Sequence, residues 1–315
     1  MSPDAVSRPD AEGEPAGRLE RLLRAGTFAV TSEAVPPRSG DPAPLLEQAR
    51  VLEGFADAVN VTDNPTARVH MSSLAGAAIL AQAGLEPVVQ LTVRDRNRMS
   101  LSSDLLGAWA VGARNVLCLS GDPGGVGDHP DARTAFDLTV IDLIRLAAGL
   151  RRDGRLLSGA QIDAPPRFFV GVADSPLAPG YDLGRLEAKI EAGARFVQTQ
   201  IVFDVDAFAA WAAAARQRGL TERAFLVAGV AVARSAASAR YMREHLPGVT
   251  VPDEVIERLE SAGPGAQDEG VRIVADLIRA LRSIPGMAGV HVMALGHPET
   301  VGLAVDAAGL LPRPA

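Results

Sequence analysis

The chain has 315 residues, of which 47% are hydrophobic and 22% are charged, the composition of a globular protein with a large core. Its formal net charge of −7 excludes the strongly basic surface of a typical nucleic-acid-binding protein. Cys118 is the only cysteine, so no disulfide can form within the chain, which fits a reducing compartment. No apolar stretch is long enough for a transmembrane helix, so we expect a cytoplasmic protein without a membrane partner.

The first residues, MSPDAVSRPDAEGEPAG, are polar and rich in Pro, Ala and Gly, and they lack the apolar centre of a signal peptide. A segment of this composition buries too little apolar surface to fold on its own. We therefore predict a disordered tail over residues 1–19 and a single catalytic domain over residues 20–315.

After the tail, a short run rich in β-branched residues followed by a longer helical stretch recurs eight times. The runs predict strands at residues 28–35, 58–63, 87–94, 115–122, 167–174, 195–203, 224–231 and 289–296. They are almost continuously apolar, as strands buried on both faces are, and the helices between them imply parallel pairing through right-handed crossovers. The connection from Ser235 to Ser283 is long enough for more than one helix.

Eight such units predict a closed (β/α)8 TIM barrel of the α/β class. The alternative is an open doubly wound sheet, which usually carries a glycine-rich phosphate-binding turn after its first strand. The corresponding segment of this chain, SEAVPPRSG, is not such a turn. We therefore favour the barrel.

Three polar residues interrupt or end apolar strands at the end of the barrel where active sites lie. Glu33 lies inside the first strand, where a carboxylate is costly unless it is functional or paired, for example with Arg94. Asp122 ends the fourth strand before Pro-Gly and could instead form a turn. Gln200 lies in the sixth strand, where its amide could bind the edge of a heterocycle or satisfy a buried backbone group.

Further polar side chains near the strand ends either contact a ligand or face solvent. They are Thr62, Asp63, Asn64, Gln90, Thr92 and Arg94. Asp182, Arg185 and Lys189 have the i, i+3, i+7 spacing of one helix face, which suits a phosphate or ribose contact or plain solvation. The five histidines form no metal constellation, and no HExxH, CxxC or GxSxG motif occurs, so we expect no metal site.

Five segments, in chain order, resemble motifs of the methylenetetrahydrofolate reductase family. They are TSEAVPPR, NVTDNP, QLTVRDRN, LCLSGDP and KIEAGARFVQTQIVFD, of which the last is the most specific match. The resemblance runs from about residue 20 to the C-terminus. It implies a (β/α)8 barrel that reduces 5,10-methylenetetrahydrofolate to 5-methyltetrahydrofolate, using FAD that NADH or NADPH reduces.

The resemblance also implies roles for individual residues. Glu33 falls on the family's general acid, Asp122 on an aspartate near the flavin and the pterin, and Gln200 on an amide that binds folate. Leu259 stands where a substrate-contacting Phe is common. The positions implied for FAD are Thr62, Gln90, Ser120, Gly121, Asp122, Asp182, Arg185 and Lys189.

Several positions depart from the family pattern. Gln90 replaces a His, Ser120 replaces an Arg or Thr, and Arg185 stands where an Asn is common. An aromatic residue that contacts the flavin is missing from VADSPLAPG, at the end of the fifth strand. Two alternatives therefore stay open: a folate-binding barrel that transfers a methyl group without flavin, and a folate-binding partner subunit without catalytic activity. The resemblance is equally compatible with a homo-oligomer.

Overall fold

The computed structural model describes residues 13–293 and 295–314. Eight parallel strands pair in chain order, and the eighth also pairs with the first, so the sheet closes into a barrel. This confirms the predicted (β/α)8 barrel and excludes the open sheet. The strands are β1 (Ala29–Ala34), β2 (Ala58–Val61), β3 (Pro87–Thr92), β4 (Asn115–Leu119), β5 (Phe169–Asp174), β6 (Phe196–Ile201), β7 (Phe225–Ala231) and β8 (Met287–Met293).

One helix precedes the first strand and covers the amino-terminal end of the barrel, and the others follow the strands around its outside. They are α1 (Arg18–Arg24), α2 (Ala43–Leu52), α3 (Ser73–Gln82), α4 (Arg98–Ala110), α5 (Val140–Asp153), α6 (Leu183–Ala192), α7 (Val205–Gln217), α8 (Ala236–His245), α9 (Asp253–Ser261), α10 (Ala266–Ser283) and α11 (Glu299–Ala307). The connection between β7 and β8 holds three helices, as its length predicted. Within the described residues, no helix has both the length and the apolar character needed to cross a membrane.

The N-terminal boundary differs slightly from the expectation. Helix α1 begins at Arg18, inside the segment predicted to be a tail, and the side chain of Leu19 is completely buried. Residues 1–12 of that segment lie outside the described residues. The predicted disorder of the tail therefore stays a prediction.

Strands β2, β3, β4, β6 and β8 end two or three residues before the predicted boundaries at residues 63, 94, 122, 203 and 296. Backbone conformation accounts for the end of β4, because Gly121, inside the predicted strand, has a φ of 88°, a value that no extended strand contains. Several predicted site residues consequently lie in the loops at the carboxyl ends of the strands. Such loops form the active sites of barrels of this kind.

The amino-terminal end of the barrel is closed by apolar side chains. Helix α1 packs Leu19 and Leu23 against a layer of inward-facing residues that includes Phe169 and Phe196, whose rings stack with centroids 4.9 Å apart. A Cβ on Gly171 would lie 2.0 Å from the Phe196 ring, so this position of β5 accepts only glycine. Since this end of the interior is filled, a ligand can reach the barrel interior only from the carboxyl ends of the strands.

Candidate active site at the carboxyl ends of the strands

The three residues predicted to do the chemistry lie at one end of the barrel. Glu33 is the next-to-last residue of β1, Asp122 follows β4, and Gln200 is the next-to-last residue of β6. The carboxyl ends of parallel strands in a closed barrel form a single rim, so the fold brings these residues to that rim. That they open into one shared cavity stays a prediction.

The carboxylate of Glu33 lies in the wall of the barrel, with 16% of its side chain exposed. The alternative in which it pairs with Arg94 is wrong. The Arg94 guanidinium instead binds both carboxylate oxygens of Asp95, each at 2.7 Å, and donates to the backbone carbonyl of Asp122 at 3.1 Å. The hydrogen bond from Arg94 lowers the pKa of Asp95. Arg94 therefore fixes the rim between β3 and β4 and leaves Glu33 to other partners.

An ionisable neighbour of Glu33 is His291 of β8, to which the sequence assigned no role. The Nε2 atom of His291 lies 3.9 Å from a carboxylate oxygen of Glu33. On the other side of the ring, Nδ1 lies 2.9 Å from the Thr31 hydroxyl. Closure of the barrel creates this contact, because it sets the last strand beside the first.

Asp122 is exposed on the loop after β4, where one of its carboxylate oxygens accepts a hydrogen bond of 2.7 Å from the Thr66 amide. Thr66 lies in a turn after β2 in which Asn64, Thr66 and Ala67 all have positive φ values, between 47° and 56°. Such conformations cost free energy in residues other than glycine, so contacts such as this one have to maintain the turn. Asp122 thus stabilises the turn after β2, a different turn from the Pro-Gly turn considered for it in the sequence, and it also lies on the rim.

A buried polar layer below the rim escaped the sequence analysis. The Asn60 amide of β2 donates to the Gln198 side-chain oxygen of β6 across the barrel, at 2.9 Å. Among the described residues, the side-chain oxygens of Asn60 and Thr62 find no hydrogen-bond partner although both are buried. Buried polar atoms of this kind are usually satisfied by water or a ligand. The signal was available, because Asn60 and Gln198 lie two residues before Thr62 and Gln200, on the same strand faces.

Gln200 is engaged with the backbone, which matches the alternative role considered for it. Its oxygen accepts from the Ile201 amide at 2.9 Å, and its nitrogen donates to the Pro247 carbonyl at 3.2 Å. The pairing of β6 with β7 shifts register between Gln198 and Ile201, and such an irregularity redirects a side chain. To bind folate, the Gln200 side chain would have to give up its hydrogen bonds to the Ile201 amide and the Pro247 carbonyl.

Leu259 does not line the rim. It lies in α9, where 1% of its side chain is exposed and it packs within the hydrophobic core. The expected contact with substrate therefore lacks support from the arrangement of α9, and a role in packing accounts for the residue.

Five of the eight positions implied for FAD lie on or just after β2, β3 and β4, and Asp122, described above, is one of them. Thr62 is buried, Gln90 is half-buried, and Ser120 is exposed at the rim. Gly121 has a positive φ, and a Cβ there would lie 3.0 Å from the Cβ of Arg94 and 3.1 Å from that of Thr92. Glycine at this position lets the side chains of Arg94 and Thr92 approach the backbone closely.

The other three implied positions, around α6, do not present one common face. Asp182 caps the helix by accepting from the Gly184 amide at 2.9 Å, and Arg185 is exposed. Lys189 turns towards β5, where its ammonium group donates to Asp174 at 2.9 Å and to the Ala173 carbonyl at 2.7 Å. The side chain of Asp174 is 4% exposed, so this is a largely buried ion pair.

Asp174 is also the acceptor of a hydrogen bond of 2.6 Å from Tyr181, whose own oxygen accepts from the Trp211 indole at 3.1 Å. Burial, together with the hydrogen bond to Asp174, raises the pKa of Tyr181 well above its usual range. The phenol therefore stays protonated and keeps donating to Asp174. This network occupies the strand end from which the flavin-contacting aromatic residue is missing.

These residues fit a flavin only in part. The unpartnered Thr62 oxygen suits a polar group of a heterocycle at the end of β2, whereas the Cβ side of Gly121 is already filled by the side chains of Arg94 and Thr92. The phosphate end fits poorly, because Lys189 is already neutralised and Asp174 adds a negative charge beside it. Within the described part of the chain, no three His, Cys, Asp or Glu residues group to hold a metal ion.

Comparison with known proteins identifies the family of this chain. The profile described as methylenetetrahydrofolate reductase matches residues 18–309. A Caenorhabditis elegans protein named probable methylenetetrahydrofolate reductase (NADPH) is 26% identical over 93% of this chain and 44% of its own length. The 5,10-methylenetetrahydrofolate reductase of Pectobacterium carotovorum subsp. carotovorum is 27% identical over 58% of this chain and 57% of its own length.

A solved structure has a similar fold. It is an uncharacterized protein from Clostridium thermocellum that binds two copies of 5-methyl-5,6,7,8-tetrahydrofolic acid; the TM-score is 0.59 and the identity 12%, over 94% of this chain and 100% of that one. At this identity the likeness concerns the fold alone. The profile match covers nearly the whole described barrel, and on that basis the chain belongs to the methylenetetrahydrofolate reductase family.

Proposed function

We propose that this protein reduces 5,10-methylenetetrahydrofolate to 5-methyltetrahydrofolate, with NADH or NADPH as electron donor and FAD as cofactor. The observation that carries the proposal is the part-buried carboxyl of Glu33 at the carboxyl end of β1, in a chain that matches the family over residues 18–309. This chain covers less than half of the Caenorhabditis elegans relative, 44% of its length. Activity of the barrel without further segments is therefore part of the proposal.

The substrate sets the requirement that Glu33 would meet. Its methylene carbon bridges N5 and N10 in a five-membered ring, and hydride attacks that carbon poorly while the ring is closed. Protonation of N10 lets the C–N10 bond break, and the N5 electron pair then forms an iminium cation. A carboxylic acid held in the barrel wall can deliver this proton, and we assign that role to Glu33.

The iminium cation needs a negative charge nearby, which the Asp122 carboxylate would provide. Its hydrogen bond from the Thr66 amide fixes one carboxylate oxygen at the rim. The pterin edge carries donors and acceptors, and the unpartnered oxygen of Asn60 together with the amide of Gln200 would bind it. Gln200 would first have to release the Pro247 carbonyl.

FAD, when bound, would supply hydride to the methylene carbon after accepting it from the nicotinamide. The residues that would hold it are Thr62, Gln90, Ser120, Gly121, Asp122, Asp182, Arg185 and Lys189. Because Lys189 is paired with Asp174, we expect the flavin to be held loosely.

The second candidate is a folate-binding subunit without reductase activity. The ion pair between Lys189 and Asp174 favours it, because that pair removes a cation expected to contact the flavin. A folate-binding methyltransferase is a related alternative that also needs no flavin. Both candidates predict folate binding without oxidation of NADH or NADPH.

The test combines a spectrum with an assay. The absorbance of the purified protein is recorded alone and during titration with FAD, and oxidation of NADH or NADPH is followed with and without methylenetetrahydrofolate and FAD. We expect FAD binding at tens of micromolar and folate-dependent oxidation of the nicotinamide. Folate-dependent oxidation without any flavin would keep the reductase assignment and remove FAD from it. Folate binding without oxidation would favour the subunit.

A further inference from the structure

His291 is a buried ionisable group that the proposed chemistry has not used. It lies in β8 with its side chain 0% exposed, inside the wall that also carries Glu33. Its Nε2 atom finds no hydrogen-bond partner among the described residues, although it is completely buried. An unsatisfied buried donor or acceptor is costly, so its retention at this place calls for an explanation.

The contacts of the ring indicate which nitrogen carries the proton. The Thr31 hydroxyl lies 2.9 Å from Nδ1 and 3.5 Å from the Val290 carbonyl, so the shorter and stronger hydrogen bond available to its proton is the one to Nδ1. If Thr31 donates to Nδ1, the neutral imidazole carries its proton on Nε2. That N–H then faces the Glu33 carboxyl, with 3.9 Å between Nε2 and the oxygen.

We propose that His291 is a positioning residue that orients the carboxyl group of Glu33 for proton delivery. The gap of 3.9 Å is longer than a hydrogen bond, and rotation about the terminal bond of the Glu33 side chain can shorten it, since that torsion is soft. With Nε2–H donating to one oxygen, the acidic proton stays on the other oxygen, which is free to face the substrate.

The same hydrogen bond acts after the proton has left. Glu33 becomes a carboxylate when N10 takes the proton, and a donor already aimed at it stabilises the charge as it develops. His291 would touch neither substrate nor cofactor, and Thr31 would hold its tautomer from behind. This inference rests on the proposed reductase function, in which Glu33 is the acid.

Three substitutions distinguish the roles of the two ring nitrogens of His291. His291→Gln keeps an N–H near the Nε2 position, His291→Asn keeps only a group near Nδ1, and His291→Leu removes both. His245, exposed on α8, provides the matched control His245→Gln. For each variant, kcat and KM for methylenetetrahydrofolate are measured beside a melting curve.

We expect kcat to fall about 10-fold to 100-fold in His291→Asn and His291→Leu with little change in KM, less than the roughly 10²–10⁴-fold loss from removing a general acid. His291→Gln should restore most of the rate, and His245→Gln should behave as the parent. In a Glu33→Gln background, the His291 substitutions should have little further effect. Losses that follow the melting temperature, with no rescue by Gln, would overturn the proposal.

A second measurement is independent of turnover. In ¹⁵N-histidine NMR spectra, protonated and unprotonated imidazole nitrogens resonate in separate ranges, and His291→Gln assigns the His291 signals. We expect a proton on Nε2, and a shift of that resonance in Glu33→Gln. A proton on Nδ1, or no response to Glu33→Gln, would contradict the proposal even in an active enzyme. An inactive parent protein with the expected spectra would instead count against the reductase function alone.

Discussion

At the scale of single residues, two carboxyl groups in the barrel wall differ in the side chains that surround them. Glu33 and Asp174 both lie near the carboxyl ends of their strands, and both are largely buried. Glu33 lies near the imidazole of His291, whereas Asp174 contacts an ammonium group and a phenol. The ammonium group of Lys189 is a permanent cation beside Asp174, and the described contacts of Glu33 include no Lys or Arg.

The substitution Glu33→Gln should separate catalysis from stability. Gln cannot donate an acidic proton, so reduction of methylenetetrahydrofolate should fall about 10²–10⁴-fold. Oxidation of NADH or NADPH with added FAD and an artificial acceptor needs no proton at N10 and should persist. Arg94 pairs with Asp95 rather than Glu33, so the substitution leaves no buried arginine without its partner. The melting temperature should therefore hardly change. Folate reduction at the parent rate would remove Glu33 from the mechanism.

The substitution Asp174→Asn tests why the flavin is expected to bind loosely. It removes a negative charge and frees the Lys189 ammonium, so the affinity for FAD should rise about tenfold, or about 1.4 kcal/mol. Lys189 is 18% exposed, so the stability should fall by about 2–3 kcal/mol, below the 3–5 kcal/mol of a fully buried broken pair.

Titration with FAD and chemical denaturation measure the two effects of Asp174→Asn. Tyr181→Phe is the matched control, because it removes a hydrogen bond to the same carboxylate and leaves the ion pair intact. Its FAD affinity should equal that of the parent. Equal affinities in all three proteins would mean that Lys189 is not a phosphate ligand.

At the scale of elements, the packing of the closed end of the barrel rests on one small residue in β5. Gly171→Ala places a Cβ 2.0 Å from the Phe196 ring, which stacks on Phe169 and cannot move without opening the inner core. Overpacking of this kind costs about 1–3 kcal/mol or more. Gly125→Ala is the control, since nothing lies within 4 Å of a Cβ there. Denaturation midpoints should separate the two variants, and equal midpoints would show that the Phe196 ring can relax.

The elements themselves were largely predictable, because period and composition are local properties of the sequence. Each of the eight predicted strands overlaps an observed one, and the prediction of more than one helix between β7 and β8 followed from the length of that connection. Several strands were predicted too long at their carboxyl ends, and in β4 the cause is the positive φ of Gly121, which stops the strand. Backbone conformation of this kind leaves only a weak trace in residue type.

Contacts across the barrel were the part that the sequence could not supply. His291 meets Glu33 only because the last strand pairs with the first, and Asn60 meets Gln198 only across the interior. Likewise, Lys189 had the spacing of a helix face, yet its long side chain reaches back to Asp174 of β5. Spacing along one element predicts position on that element, whereas partners on other elements depend on closure and side-chain reach.

At the scale of the whole molecule, one end of the barrel is filled and the other is polar. Leu19, Leu23 and the stacked phenylalanines close the amino-terminal end, whereas the unpartnered oxygens of Asn60 and Thr62 lie towards the opposite end. The carboxyl-terminal rim is therefore a place where a ligand can satisfy buried polar groups of the barrel interior, such as those of Asn60 and Thr62. Since the rim is built from loops following several different strands, a ligand bound there would connect parts of the barrel that are distant in sequence.

Binding of 5-methyltetrahydrofolate should therefore stabilise the whole barrel. A ligand that binds only the folded state adds about 2.7 kcal/mol at a concentration of 100 times its Kd. The shift should persist in Glu33→Gln, which changes proton delivery rather than binding, and should shrink in Asn60→Leu, which removes the unpartnered oxygen and the hydrogen bond to Gln198. Thermal denaturation over a range of ligand concentrations measures it. Because Asn60→Leu alters the core, each variant is compared with its own ligand-free melting curve. If the melting temperature of the parent protein does not change with ligand concentration, that result would contradict a folate site at this end of the barrel, whichever of the candidate functions is correct.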